Sequence, residues 1–200
     1  MNTTPIDDQL REVHACLRSA MNGVLSARMR EAGMPYKLVF GVELPRLESI
    51  AREFTPDRRL AQQLWNENIR ESKMLASMLM PPAEFLPEMA DIWVEEMPTA
   101  EVAQTCVMYL LVQEPWAADV AFEWIAGEYP MRQLCGFLII ARLLARGVQF
   151  QERSLLELRD QAEALLPQAD LPLRKAIQAA IREQCKHIRS VILHVIPHVD

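Results

Sequence analysis

The stretch Met131-Arg132-Gln133-Leu134-Cys135-Gly136 (residues 131–136) opens with an apolar residue followed by Arg and reaches a small residue within two turns. The same order occurs twice more, from Ile69-Arg70 to Ala76 and from Leu173-Arg174 to Ala176, each time after a short turn. A helix–turn–helix unit that returns along a chain cannot bury its apolar face alone and stacks on its neighbours, so the recurrence predicts an all-α solenoid of antiparallel helix pairs. We expect one curved domain over residues 1–200.

The rest of the chain agrees with that reading. Residues 7–31 carry Leu10, Val13, Leu17, Met21, Val24 and Leu25 at helical spacings. Residues 33–43 hold Pro35, Gly41 and the run Leu38-Val39-Phe40, and form the one extended stretch, an ordered loop leading into a helix with Pro45 in its first turn. Thr55-Pro56-Asp57 separates two helices, Asn66-Glu67-Asn68 precedes a helix over 69–80, and Pro81-Pro82 closes it. Further helices are expected over 83–96, 100–112, 116–127, 131–146, 152–166 and 171–196, with residues 187–200 as a looser tail. No segment alternates with period two.

Half of the 200 residues are hydrophobic, enough for a substantial core. No apolar run has membrane-spanning length and the N-terminus carries Asp7 and Asp8 in place of a basic leader, so a cytoplasmic protein without a membrane partner is expected. Cys16, Cys106, Cys135 and Cys185 stand far apart, which reads as reduced and mostly buried thiols. The formal net charge of −6 opposes indiscriminate binding of polyanions. Its distribution is uneven. No Lys or Arg lies between Lys73 and Arg132, whereas Arg174, Lys175, Arg182, Lys186 and Arg189 follow Leu171 with one acid, Glu183, among them. An anionic partner is therefore expected at the C-terminal third.

Other constellations have plainer explanations. His187, His194 and His198 fall at helical spacing, but Pro197 interrupts the stripe and no ligand set is completed, so no metal is expected. Trp65, Trp93, Trp116 and Trp124 read as core. Met74, Met78 and Met80 read as adaptable packing. Glu84, Glu88, Asp91 and Glu95 form a stripe opposite Phe85, Met89 and Ile92, read as a solvated outer face. No phosphate-binding loop, dinucleotide fingerprint, zinc-protease or serine-esterase motif occurs, and no cofactor is expected.

The run Tyr36-Lys37-Leu38-Val39-Phe40-Gly41-Val42, followed by Leu44-Pro45-Arg46-Leu47, Leu64-Trp65 and Arg70-Glu71, resembles the DNA alkylation repair family of HEAT-like repeat proteins, bacterial glycosylases that excise alkylated bases. Tyr129-Pro130-Met131-Arg132 and Arg174-Lys175-Ala176-Ile177 with Ile181-Arg182-Glu183 extend the similarity to about residues 36–186. The resemblance implies a basic concave face that cradles duplex DNA, with a carboxylate and two tryptophans at the lesion and an Arg on the backbone. The family's Trp-Asp-x-x-Asp segment falls on Ala100-Glu101-Val102-Ala103-Gln104, so its tryptophan becomes Ala100 and its second aspartate Gln104. The second tryptophan becomes Ala179, and only the backbone Arg is kept, as Arg132.

Those exchanges bear directly on chemistry. Expelling a cationic base builds positive charge on the sugar, which a fixed carboxylate stabilises and a neutral Gln104 does not. Ala100 and Ala179 lack the aromatic faces that would meet the sugar or a cationic base. Glu101, three residues before Gln104, is the nearest carboxylate and the one weak stand-in. Arg132, Arg174, Lys175, Arg182 and Lys186 are the residues expected to meet phosphate, with ion pairing to acids such as Glu128 or Asp170 as the alternative for the arginines. Two functions stay open: a DNA-associated protein of the alkylation-repair type, either a divergent glycosylase with relocated catalytic groups or, as the exchanges favour, a relative that binds DNA without cleaving the glycosidic bond; and a helical scaffold for a protein partner. Neither the lesion nor the oligomeric state is legible.

Overall fold

The computed structural model describes residues 5–195, with side chains described as far as His187. Eleven α-helices follow in order: α1 Ile6–Ser19, α2 Gly23–Glu31, α3 Leu44–Ala51, α4 Arg58–Asn66, α5 Arg70–Leu79, α6 Pro87–Glu95, α7 Ala100–Tyr109, α8 Ala117–Ala126, α9 Pro130–Ala145, α10 Glu152–Leu165 and α11 Leu171–Val195. Short 3-10 turns occupy Pro82–Glu84 and Leu111–Gln113. Among the described residues there is no strand, only an isolated parallel bridge between Leu38 and Ile69. Among the described residues no helix is long and apolar enough to cross a membrane.

Local chemistry sets the helix boundaries. The Asn22 side chain accepts from the Leu25 N–H and the Asp57 carboxylate from the N–H groups of Arg59 and Leu60, satisfying donors that the first turns of α2 and α4 leave free. Pro45 and Pro130 sit in the first turns of α3 and α9, where no N–H is needed. The expected helix over 83–96 is divided. Pro87 forces Leu86 out of helical geometry, so Ala83 and Glu84 stay in a separate 3-10 turn and α6 starts afresh. The acidic stripe expected there does not exist as drawn: Phe85 is buried outside the helix, Ile92 is exposed, and α6 turns Ala90, Trp93 and Val94 inward.

Two compact units result, Met1–Leu86 with Met108–Leu110, and Pro87–Val107 with Leu111–Asp200. In the first, α4 packs on α5, α1 on α4, and α3 on α5. In the second, α8 packs on α9 and α10 on α11, while α9 also lies against α11 and α8 against α10. Stacking of first helix on first helix and second on second is the packing of a HEAT-like repeat. The small residues noted in the sequence lie where helices approach. Ala76 and Ala176 are buried, and a Cβ on Gly136 would come within 2.7 Å of both the Ala121 carbonyl oxygen and Ile125 Cγ1 on α8. Trp65, Trp93 and Trp124 are core residues, as are Met74 and Met80. Cys106 and Cys135 are buried, while Cys185 is exposed, against the expectation of mostly buried thiols.

The extended stretch before α3 is held by a buried carboxylate. Glu71 is fully buried and accepts from the N–H groups of Phe40 at 3.0 Å, Gly41 at 2.8 Å and Val42 at 3.2 Å. Arg70 Nη1 donates both to Glu71 Oε1 and to the Val42 carbonyl, so the charge is paired inside the same knot. Gly41 has φ +73°, and a Cβ there would lie 2.5 Å from the Asn22 carbonyl oxygen, so only glycine fits.

Candidate nucleic-acid interface

The three apolar–Arg pairs start helices but at different depths in the first turn. Arg70 is the first residue of α5, Arg132 the third of α9, and Arg174 the fourth of α11. Each step along a helix rotates a side chain by about 100°. The three arginines consequently do different things. Arg70 is buried in the loop knot. Arg132 is half-buried, and its Nη2 lies 2.7 Å from Glu95 Oε1 and 3.2 Å from Asp91 Oδ1, both on α6. These, and not Glu128 or Asp170, are its partners. Asp91 is fixed in turn by a 2.8 Å bond from Trp124 Nε1. Arg174 is exposed and donates to the Ala169 carbonyl at 3.1 Å.

On α11 the remaining cations align. Lys175, Ala179, Arg182 and Lys186 follow at spacings of four, three and four, which places them on one stripe. Lys186 bonds Glu183 at 2.7 Å. Lys175 and Arg182 are exposed and have no acidic partner among the described residues. They are separated by seven residues, about 10 Å along the axis.

The positions that the resemblance assigns to chemistry are dispersed. Ala100 and Glu101 open α7 half-buried, Gln104 is exposed one turn on, and Ala179 is half-buried on the α11 stripe. Of these, Ala100 alone lines a groove of about 820 Å³ in the second unit, formed where the starts of α7, α9 and α11 meet. Its charged lining residues are Glu128 and Asp170, and no Lys or Arg lines it. Asp170 accepts from the Leu173 N–H at 2.9 Å, so it caps α11.

One acid escaped the sequence reading. Glu114 is 7 % exposed, its Oε1 has no hydrogen-bond partner among the described residues, and burial pushes its carboxyl up to about 7. Its setting between Leu111-Val112 and Pro115-Trp116 was the available signal. Glu114 follows α7, whereas Ala100 begins it, so the acid stands at the far end of that helix from the groove. Of the histidine stripe, His187 is half-buried and the side chains of His194 and His198 lie outside the described residues; among those described, no three His, Cys, Asp or Glu form a metal cluster.

Comparison with known proteins gives a consistent assignment. No curated protein matches. A solved structure described as belonging to a new family of proteins related to the HEAT-like repeat DNA glycosylases, with affinity for branched DNA structures, superposes with a TM-score of 0.78 at 18 % identity, covering 92 % of this chain and 78 % of that one. At that identity the likeness establishes the fold. The family model for the DNA alkylation repair enzyme matches residues 13–194, and on the strength of that nearly full-length match the chain belongs to the DNA alkylation repair enzyme family.

Proposed function

We propose that this protein binds DNA by phosphate contacts from α11, chiefly through Lys175 and Arg182, and does not excise bases. The observation that carries the reading is the pair of exposed cations, free of acids, two turns apart on one helix face. Such a pair can contact phosphates of one strand without reading bases. The other cations named from the sequence are occupied: Arg132 by Asp91 and Glu95, Lys186 by Glu183, and Arg174 by a carbonyl. The affinity of the structural neighbour for branched DNA supports the choice of ligand. Gln104 supplies no charge to a departing cationic base, and Ala100 and Ala179 supply no ring, which supports a role without glycosidic cleavage.

The test is fluorescence anisotropy with a labelled duplex and a labelled four-way junction between 50 and 200 mM salt. Each phosphate contact contributes about 0.9 to the slope of log affinity against log salt on B-DNA, so Lys175→Ala with Arg182→Ala lowers the duplex slope by about 1.8. An unchanged slope in the double variant removes α11 from the interface. Separately, the wild-type protein should release no 7-methylguanine or 3-methyladenine from alkylated DNA. Robust release refutes the non-catalytic half of the reading and leaves the binding half standing.

A further inference from the structure

The groove at the starts of α7, α9 and α11 occupies the place where the resemblance puts an aromatic wall, yet its chemistry suits neither phosphate nor a bare anion. Helix N-termini ordinarily attract anions through free N–H groups. Here α9 begins with Pro130 and α11 carries Pro172 as its second residue, neither of which has an N–H, and the Asp170 carboxylate already occupies the α11 end. The charged lining residues are both acids. Glu128 is exposed and makes no ion pair or hydrogen bond among the described residues. The walls are otherwise apolar apart from Thr99 and the amides of Gln161 and Gln168, the buried Gln133 amide being held by the Gly127 carbonyl at 2.7 Å, and two exposed apolar residues, Tyr129 and Leu171, adjoin lining residues at the starts of α9 and α11.

Charge on the scale of the whole unit points the same way. The first compact unit contains 11 Lys and Arg against 11 Asp and Glu, whereas the second contains 10 against 16, so the net charge of the chain resides in the unit that holds the groove. We infer that this groove is a docking site for a peptide segment of a protein partner that carries Lys or Arg next to an apolar side chain. The apolar side chain fills the space beside Ala100, the amides of Gln161 and Gln168 meet the peptide backbone, and Glu128 meets the cation. A volume of about 820 Å³ is in the range that accepts several residues. The inference is independent of DNA binding by α11.

The experiment is selection of random heptapeptides displayed on phage against the immobilised full-length protein, followed by anisotropy with the enriched sequences as labelled synthetic peptides. Enriched sequences should place Lys or Arg within two positions of Leu, Ile, Met or an aromatic residue. Reversing the exposed acid, Glu128→Lys, should weaken their binding about tenfold at low salt. Ala100→Trp, which fills the groove without changing charge, should abolish it. Enrichment of acidic sequences, no enrichment, or peptides that bind both variants as well as wild type would overturn the assignment. So would displacement of the peptide by duplex DNA that remains after Lys175→Ala with Arg182→Ala, which would give the groove to nucleic acid.

Discussion

Glu114→Gln should stabilise the protein at pH 8 and leave it nearly unchanged at pH 4. The Glu114 carboxyl titrates near 4.5 when exposed and is pushed up to about 7 in the folded chain, because burial penalises the charged form. Between those values the folded state holds a proton that the unfolded state has released. Stability is therefore greatest below about 4.5, declines as pH rises, and levels off above about 7, where the folded protein carries the buried charge. At about 1.4 kcal/mol per tenfold, the gap between 4.5 and about 7 sets a ceiling of about 3 kcal/mol, and water reaching a side chain that keeps some exposure reduces it to about 1–3 kcal/mol. Glutamine has the shape of the protonated acid and no charge to bury. For a chain of 200 residues, the variant should melt about 3–10 °C above wild type at pH 8 and within about 1 °C of it at pH 4. Thermal unfolding followed by circular dichroism in matched buffers reads both values. Equal melting temperatures at both pH values, or a variant less stable at pH 8, would mean that Glu114 has a partner for its charge and that the reasoning from burial is wrong.

Further consequences concern the joints and the cations. Glu71→Ala strips the acceptor from three loop N–H groups and takes the paired carboxylate away from the buried Arg70, which should cost about 3–5 kcal/mol in urea unfolding; a loss below about 1 kcal/mol would deny the loop knot its role. Gly136→Ala should cost about 1–3 kcal/mol, because the new methyl meets the Ala121 backbone on α8, and an unchanged urea midpoint would show that α8 and α9 can part freely. Arg132→Ala should leave the salt slope of DNA binding unchanged while Lys175→Ala with Arg182→Ala lowers it; a fall of about 0.9 on removing Arg132 would show that DNA draws its guanidinium away from Asp91 and Glu95.

Helix positions were legible because their boundaries are written in side chains with one local effect. Asp57 lies at the turn that starts α4, Pro45 and Pro130 sit at the starts of α3 and α9, and positive φ at Gly41 and Gly147 lets the chain turn. The division before α6 was missed because helical spacing of Glu84, Glu88 and Asp91 outweighed the effect of Pro87 on the residue before it. The roles of the arginines were less legible. An apolar–Arg dipeptide marks the start of a helix but not the phase of its first turn, and the phase decides whether the guanidinium is buried, paired or exposed. The acids that hold Arg132 lie 37 and 41 residues away in sequence, on a helix whose packing no local pattern reveals. Glu114 illustrates the converse, since an acid inside an apolar run is visible in sequence but its burial depends on how the turn at Leu111–Gln113 packs.

The pieces of sequence that carry the family resemblance most plainly are therefore informative about architecture more than about activity. Phe40-Gly41-Val42 and Arg70-Glu71 sit far apart in the chain, yet they are the two halves of one buried knot. Their pairing explains why both would persist in any chain that needs this loop, whatever it binds. The positions that the resemblance assigns to base excision have no comparable structural duty: Gln104 is exposed, and Ala100 and Ala179 are half-buried. Such sites can change without unfolding the protein, whereas Glu71 and Gly41 cannot. The knot serves the fold whatever the chain binds, so changing it tests architecture, whereas α11, where Lys175 and Arg182 are exposed with no acidic partner among the described residues, is the place at which DNA binding must be tested.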